Sequence, residues 1–164
     1  MYAYDPSEWT DLFVATAGAT AALAGLLFVA VSINIDRIIG EAGLPDRGLE
    51  TVLMLVGVLV ISIAGLIPGQ SAGVLGLELL VISIGLTFQI IRLPVVREVS
   101  GPQVRAWLIA RWGIRVIALA PLVIGAASLI TRDGGGLYWV VAGVVFAIVG
   151  AVSNAWVLLV EILR

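Results

Sequence analysis

The chain contains no cysteine, no histidine and no lysine; all nine of its basic residues are arginine. Without a thiol there is no disulfide framework, no cysteine nucleophile and no site for acylation. Without an imidazole there is neither a Ser-His dyad nor a histidine metal site, and without lysine there is neither a Ser-Lys dyad nor a Schiff base. Charge is scarce too, at 12% of residues, against about a quarter in a soluble domain. No GxxxxGK phosphate loop is present. No aspartate falls in an apolar run, which removes the paired-aspartate protease, and the two carboxylates Glu78 and Glu161 fall toward opposite membrane faces. The expectation is a non-enzymatic protein with no metal and no cofactor. A net charge of −2 argues against a nucleic-acid partner.

What is abundant is apolar length. Of 164 residues, 61% are hydrophobic, more than a chain this short can hide inside a water-soluble globule. A membrane-spanning helix takes roughly 20 mainly apolar residues, and five runs qualify, at about 12–35, 50–68, 73–92, 113–131 and 137–160. The separators are a charged stretch over 36–49, a short turn at 68–72 (PGQSA), an arginine-rich connection over 93–112 and a second short turn at 132–136 (RDGGG). Residues 102–112, opening on Pro102 and carrying Arg105 and Trp107, read as a short amphipathic start to the fourth helix, and Pro121 is expected to bend that helix. The fold expected is an all-α integral membrane protein, one domain made of a five-helix transmembrane bundle.

Arginine counts in the short connections set the orientation. One side holds Arg37, Arg47, Arg92, Arg97, Arg105, Arg111, Arg115 and Arg164, and the other holds only Arg132. The N-terminus is therefore expected outside and the C-terminus in the cytoplasm, in the inner membrane of a bacterium. Asp5, Glu8 and Asp11 precede the first run with no positive charge, unlike the start of a signal peptide. Asp5-Pro6-Ser7-Glu8 reads as a helix start, with a capping residue before proline and a glutamate three residues on.

Three helices carry stripes. On the first, Gly18, Ala22, Gly25 and Ser32 share a face, with Thr16, Thr20 and Asn34 roughly opposite. On the fifth, Gly143, Ala147, Gly150, Asn154 and Glu161 lie near one line. Small residues permit close helix approach in lipid, and a buried amide cross-links helices. The first and fifth helices are therefore expected to pack on each other, with packing inside one chain, a contact between copies and a pore lining all consistent with the stripes. On the third, Glu78, Gly85, Gln89 and Arg92 share a face. Glu78 either lines a water-filled path, where copies would set it in a ring, or rests near the headgroups paired with Arg132. Arg97, Arg105, Arg111 and Arg115 are expected at the cytoplasmic surface, where they hold anionic lipid headgroups.

Trp9, Phe13, the small-residue run and Ser32-Ile33-Asn34 leading into Asp36-Arg37 give a stretch that resembles small multi-pass membrane proteins of actinobacteria and their relatives. Some of those are described as modulators of the FtsH protease. The likeness covers about a fifth of the chain and implies a membrane-protease partner. No site residues come with it. Two functions are thus expected of a homo-oligomer. The first expected is a small ion or solute channel with Glu78, Gln89 and Arg92, or the first helix with Asn34, lining the path. The other is a non-conducting regulatory subunit that binds another membrane protein.

Overall fold

The structure is a computed structural model that describes residues 2–41, 43–93 and 102–162, with the side chains of 102–111, 114, 161 and 162 outside that description. Arg97, Gly101 and Arg164, and the side chains of Arg105, Arg111 and Glu161, therefore lie beyond what it describes. The described chain is helical, with no strand. Its α-helices are α1 (Thr10–Ile33), α2 (Ile35–Gly40), α3 (Leu44–Gly65), α4 (Ala72–Arg92), α5 (Pro102–Thr131) and α6 (Leu137–Ile162).

The helix ends follow from local chemistry. Asp5 accepts from the Ser7 backbone N–H at 3.1 Å, and a 3-10 turn over Pro6–Trp9 leads into α1. The Ser7 hydroxyl and then the Ser7 N–H hold the Asp5 carboxyl below its usual pKa. At the other end, Asn34 has left helical geometry (φ −112°, ψ 19°) and its amide donates to the Ala30 carbonyl at 2.9 Å. Asn34 therefore closes α1 instead of extending it to residue 35. Gly43, at φ 84°, turns the chain so that α3 begins at Leu44 with Pro45 in its first turn. The second apolar helix thus starts about six residues earlier than its hydrophobic run, which carries Glu50 into the helix body. Ser71 caps α4 by accepting from the Val74 N–H. The α5–α6 turn bends through Arg132 and three consecutive glycines, Gly134, Gly135 and Gly136, all with positive φ. The N-terminal turn lies on it: the Gly135 N–H donates to the Tyr4 hydroxyl at 2.9 Å, and Trp9 meets Tyr138 edge-on at 4.9 Å.

Helices α3, α4, α5 and α6 form a ring in which each packs on the next, and α1 lies outside it against α3. The first and last helices barely touch, contrary to the expected pairing, because α1 turns its threonine face to α3. Thr20 is fully buried there, and the hydroxyls of Thr16 and Ser62 are 2.8 Å apart. The ring interior is filled by Ile61, Leu75, Leu79, Ala118, Leu122, Ala126 and Leu129. Close crossings need glycine: a Cβ on Gly76 would fall 2.9 Å from the Ala126 carbonyl oxygen, and one on Gly143 would fall 2.5 Å from a Leu122 methyl. Among the described residues four helices are long and apolar enough to cross a membrane: Pro6–Ile33, Leu44–Gly65, Ala72–Arg92 and Leu137–Val160. α5 is a single helix of 30 residues, and its described apolar stretch is Arg115–Thr131.

Candidate functional site

Each helix of the ring has a buried stripe. On α3 it runs Glu50, Met54, Gly57, Ile61 and Gly65; on α5 it runs Arg115, Leu119, Leu122, Ala126 and Leu129. These spacings of three and four residues place each set on one helix face. Both stripes begin with a charge. α3 and α5 stand across the ring from one another, and the two charged side chains span the gap. Arg115 Nε–H donates to Glu50 Oε1 at 2.8 Å, and its Nη2–H donates to Oε2 at 2.9 Å. Glu50 is 1% exposed and Arg115 2% exposed.

The forked guanidinium matches both carboxylate oxygens at once, which adds direction to the charge attraction. A lone charge at this depth would cost several kcal/mol, whereas here the opposite charges of Glu50 and Arg115 offset one another. The Arg115 guanidinium carbon also lies 5.3 Å from the centre of the Trp112 ring, within cation–π range. Its third nitrogen, Nη1, is buried and makes no hydrogen bond among the described residues. A buried donor left in that state costs about 1–3 kcal/mol.

Beside the pair, a groove of about 340 Å³ runs between α4 and α5. Thr87, Ile90 and Ile91 form one wall, Trp112, Val116, Ala120 and Ile124 the other, and Arg115 takes part in the lining. Its walls face outward: Ile91 is 53% and Val116 56% exposed.

Sequence reasoning placed Arg115 at the cytoplasmic surface among the headgroups; the structure buries its side chain in the ring, paired with Glu50. Glu50 was missed, because it stood at the edge of its apolar run. The signal was present in both cases as a charge at the head of a core stripe. Glu78 is half-buried near the start of α4 and accepts from the Gln70 amide at 2.6 Å, so Gln70 takes the place expected for Arg132. Gln89 and Arg92 are exposed at the far end of α4, with the Arg92 guanidinium carbon 3.9 Å above the Phe88 ring. Eleven residues of helix, about 16 Å, separate Glu78 from Gln89. Asn34 and Asn154 are half-buried on α1 and α6, and apolar grooves lie between those two helices. The polar candidates therefore do not converge on one path within a chain.

The small-residue stripes part company. Gly143, Ala147 and Gly150 are buried, with Gly143 against α5, while Asn154 is half-buried. Gly18, Ala22, Gly25 and Ser32 are exposed, and a Cβ at Gly18 or Gly25 would meet nothing within 4 Å. Among the described residues no group of three His, Cys, Asp or Glu side chains could hold a metal ion.

The fold defines a class: an all-helical chain whose long apolar helices suit a multi-pass membrane protein. Comparison with protein-family models, with curated proteins and with solved structures finds no match.

Proposed function

We propose that the chain is a non-enzymatic inner-membrane protein that works as a homo-oligomer, assembled through the outer face of α1. The observation that carries this is the one-sided packing of α1. Its threonine face is spent on α3, and the face left open is the Ala/Gly one, where a second helix would gain more contact than lipid tails gain from a surface so thin. Thr16 and Thr20 account for the inner side, so the open stripe has no role left within the chain.

Five spans, with the N-terminus outside and the C-terminus cytoplasmic, complete the reading. The described apolar stretch of α5, Arg115–Thr131, has 17 residues, and the helix continues toward Pro102, enough for a span. Pairing with Glu50 offsets the one charge of that stretch. Apart from Arg115, seven of the eight other arginines fall on one side of such a layout, in keeping with the positive-inside bias. In this reading the protein is a non-conducting subunit whose assembled surface meets another membrane protein.

The absence of cysteine makes the test clean, because any introduced thiol is unique. Ala22→Cys, oxidised in native membranes, is expected to give a disulfide-linked species of twice the 17.2 kDa chain mass. Val81→Cys, exposed on α4, is the control and is expected to stay monomeric. If Ala22→Cys and Gly25→Cys both remain monomeric, assembly through α1 is wrong.

A second reading, conduction, draws on one observation: Gly85, Gln89 and Arg92 stand exposed on α4, with Glu78 half-exposed above them. Because the ring interior is filled, the path would lie between copies around a shared axis.

A further inference from the structure

We propose that the groove between α4 and α5 holds one acyl chain of an anionic phospholipid, with its phosphate on Arg92 and its ester carbonyl on Nη1 of Arg115. The argument joins shape, polarity and charge. The groove walls are aliphatic along their length, from Ile90 and Ile91 to Val123 and Ile124, and they open sideways. That suits a hydrocarbon chain entering from the bilayer. At one end the lining changes character, to Trp112 and Arg115.

Depth fits the glycerol-ester level. Arg115 is sixteen residues before the end of α5 at Thr131, about 24 Å along the axis, and the hydrocarbon core is about 30 Å thick. The guanidinium therefore lies only a few ångströms inside the boundary. There it is already neutralised by Glu50, so it calls for a neutral acceptor, and an ester carbonyl is one. Arg115 takes part in the groove lining, and its Nη1 is buried with no partner among the described residues; the carbonyl would reach it by displacing the Trp112 ring, 5.3 Å from the guanidinium carbon.

The phosphate belongs one level higher. Arg92 follows the groove residues Ile90 and Ile91 directly in α4, is exposed, and pairs with no carboxylate among the described residues. An anionic headgroup is thereby favoured over a zwitterionic one. The site does not depend on how copies assemble.

The groove has its own reporter in Trp112, and Trp156 serves as the reference, since it is 69% exposed beside a different groove, between α1 and α6. Two single-tryptophan proteins would be made, one keeping Trp112 and one keeping Trp156, with the other tryptophans changed to phenylalanine. Each would be placed in phosphatidylcholine vesicles containing a small fraction of lipid with brominated chains, either phosphatidylglycerol or phosphatidylcholine. Bromine quenches only a tryptophan it touches. Trp112 is expected to be quenched as if brominated phosphatidylglycerol were enriched about fivefold around it, the effect of one basic residue near an anionic lipid, while Trp156 shows no preference. Arg92→Gln is expected to remove the preference. Ala120→Phe, which fills the groove, is expected to remove it too, with Val123→Phe used if circular dichroism shows that the first is unfolded. Equal quenching of Trp112 by the two lipids overturns the proposal. So does a preference of equal size at Trp156, or a preference at Trp112 that survives both Arg92→Gln and the groove-filling change.

Discussion

At the scale of single residues, Glu50 and Arg115 owe their geometry to each other. Neither carries a net cost in the pair that it would not multiply alone. Glu50→Ala leaves a buried guanidinium without its counter-charge, and Arg115→Ala leaves a buried carboxylate. Each is expected to destabilise the bundle by about 3–5 kcal/mol, read as a lower midpoint of thermal unfolding in mild detergent. The double change Glu50→Leu with Arg115→Met removes both charges and keeps the volume, and should recover most of that loss. Arg115→Lys should fall between, because one ammonium does not bridge both oxygens as the fork does. If the double variant is no more stable than either single alanine, the pair is not what holds α3 across from α5. Neither residue announced itself in isolation: 65 positions separate them, and each borders a charged connection. Legible in principle was the helical spacing that joins Glu50 to Met54, Gly57 and Ile61. A hydropathy window averages over faces and discards that spacing.

At the scale of helices, the apolar runs located α4 and α6 to within about two residues and missed the first six of α3, because a long hydrophobic stretch bounded by Gly, Pro and charge has few other outcomes. The stripes were read less well. A small-xxx-small pattern states that a backbone is approachable and leaves open which neighbour approaches. Gly143 and Gly25 look alike in sequence, yet one meets Leu122 and the other meets nothing. The decisive feature on α1 was its threonines, whose hydroxyls reach the Leu12 and Thr16 carbonyls at 2.8 and 2.6 Å and, through Thr16, the Ser62 hydroxyl. The carbonyls of α1 itself satisfy these donors, and the Thr16–Ser62 contact ties the face to α3. The two glycines therefore separate experimentally. Gly143→Val overpacks the α5–α6 crossing and is expected to cost about 1–3 kcal/mol of fold stability. Gly25→Val is expected to leave the unfolding midpoint of the monomer unchanged and to weaken the cross-link between copies carrying Ala22→Cys. A monomer destabilised equally by both would mean that α1 presses on something within its own chain.

At the scale of the molecule, the filled ring sets the terms for any transport. Ile61, Leu75, Ala126 and Leu129 leave no room for a passage through one chain, so conduction would require a shared axis lined from outside the ring. α4 supplies the candidate lining, and Glu78 its only carboxylate. Gln70 holds one oxygen of that carboxylate while its own amide oxygen is buried and unpartnered, so Glu78 is positioned rather than free to swing. In a ring of copies it would repeat around the mouth and favour cations. Purified protein in liposomes is then expected to pass small cations more readily than anions, and Glu78→Gln, which keeps the shape and the Gln70 contact, should abolish that preference while leaving the oligomer intact by Ala22→Cys cross-linking. A non-conducting subunit predicts the opposite pattern: cross-linking through α1 with no flux above protein-free liposomes, in wild type and variant alike. Flux that ignores Glu78→Gln would leave a pore but remove α4 from its wall. The cross-link reports assembly and the flux reports conduction, so the two readings stand or fall on separate measurements.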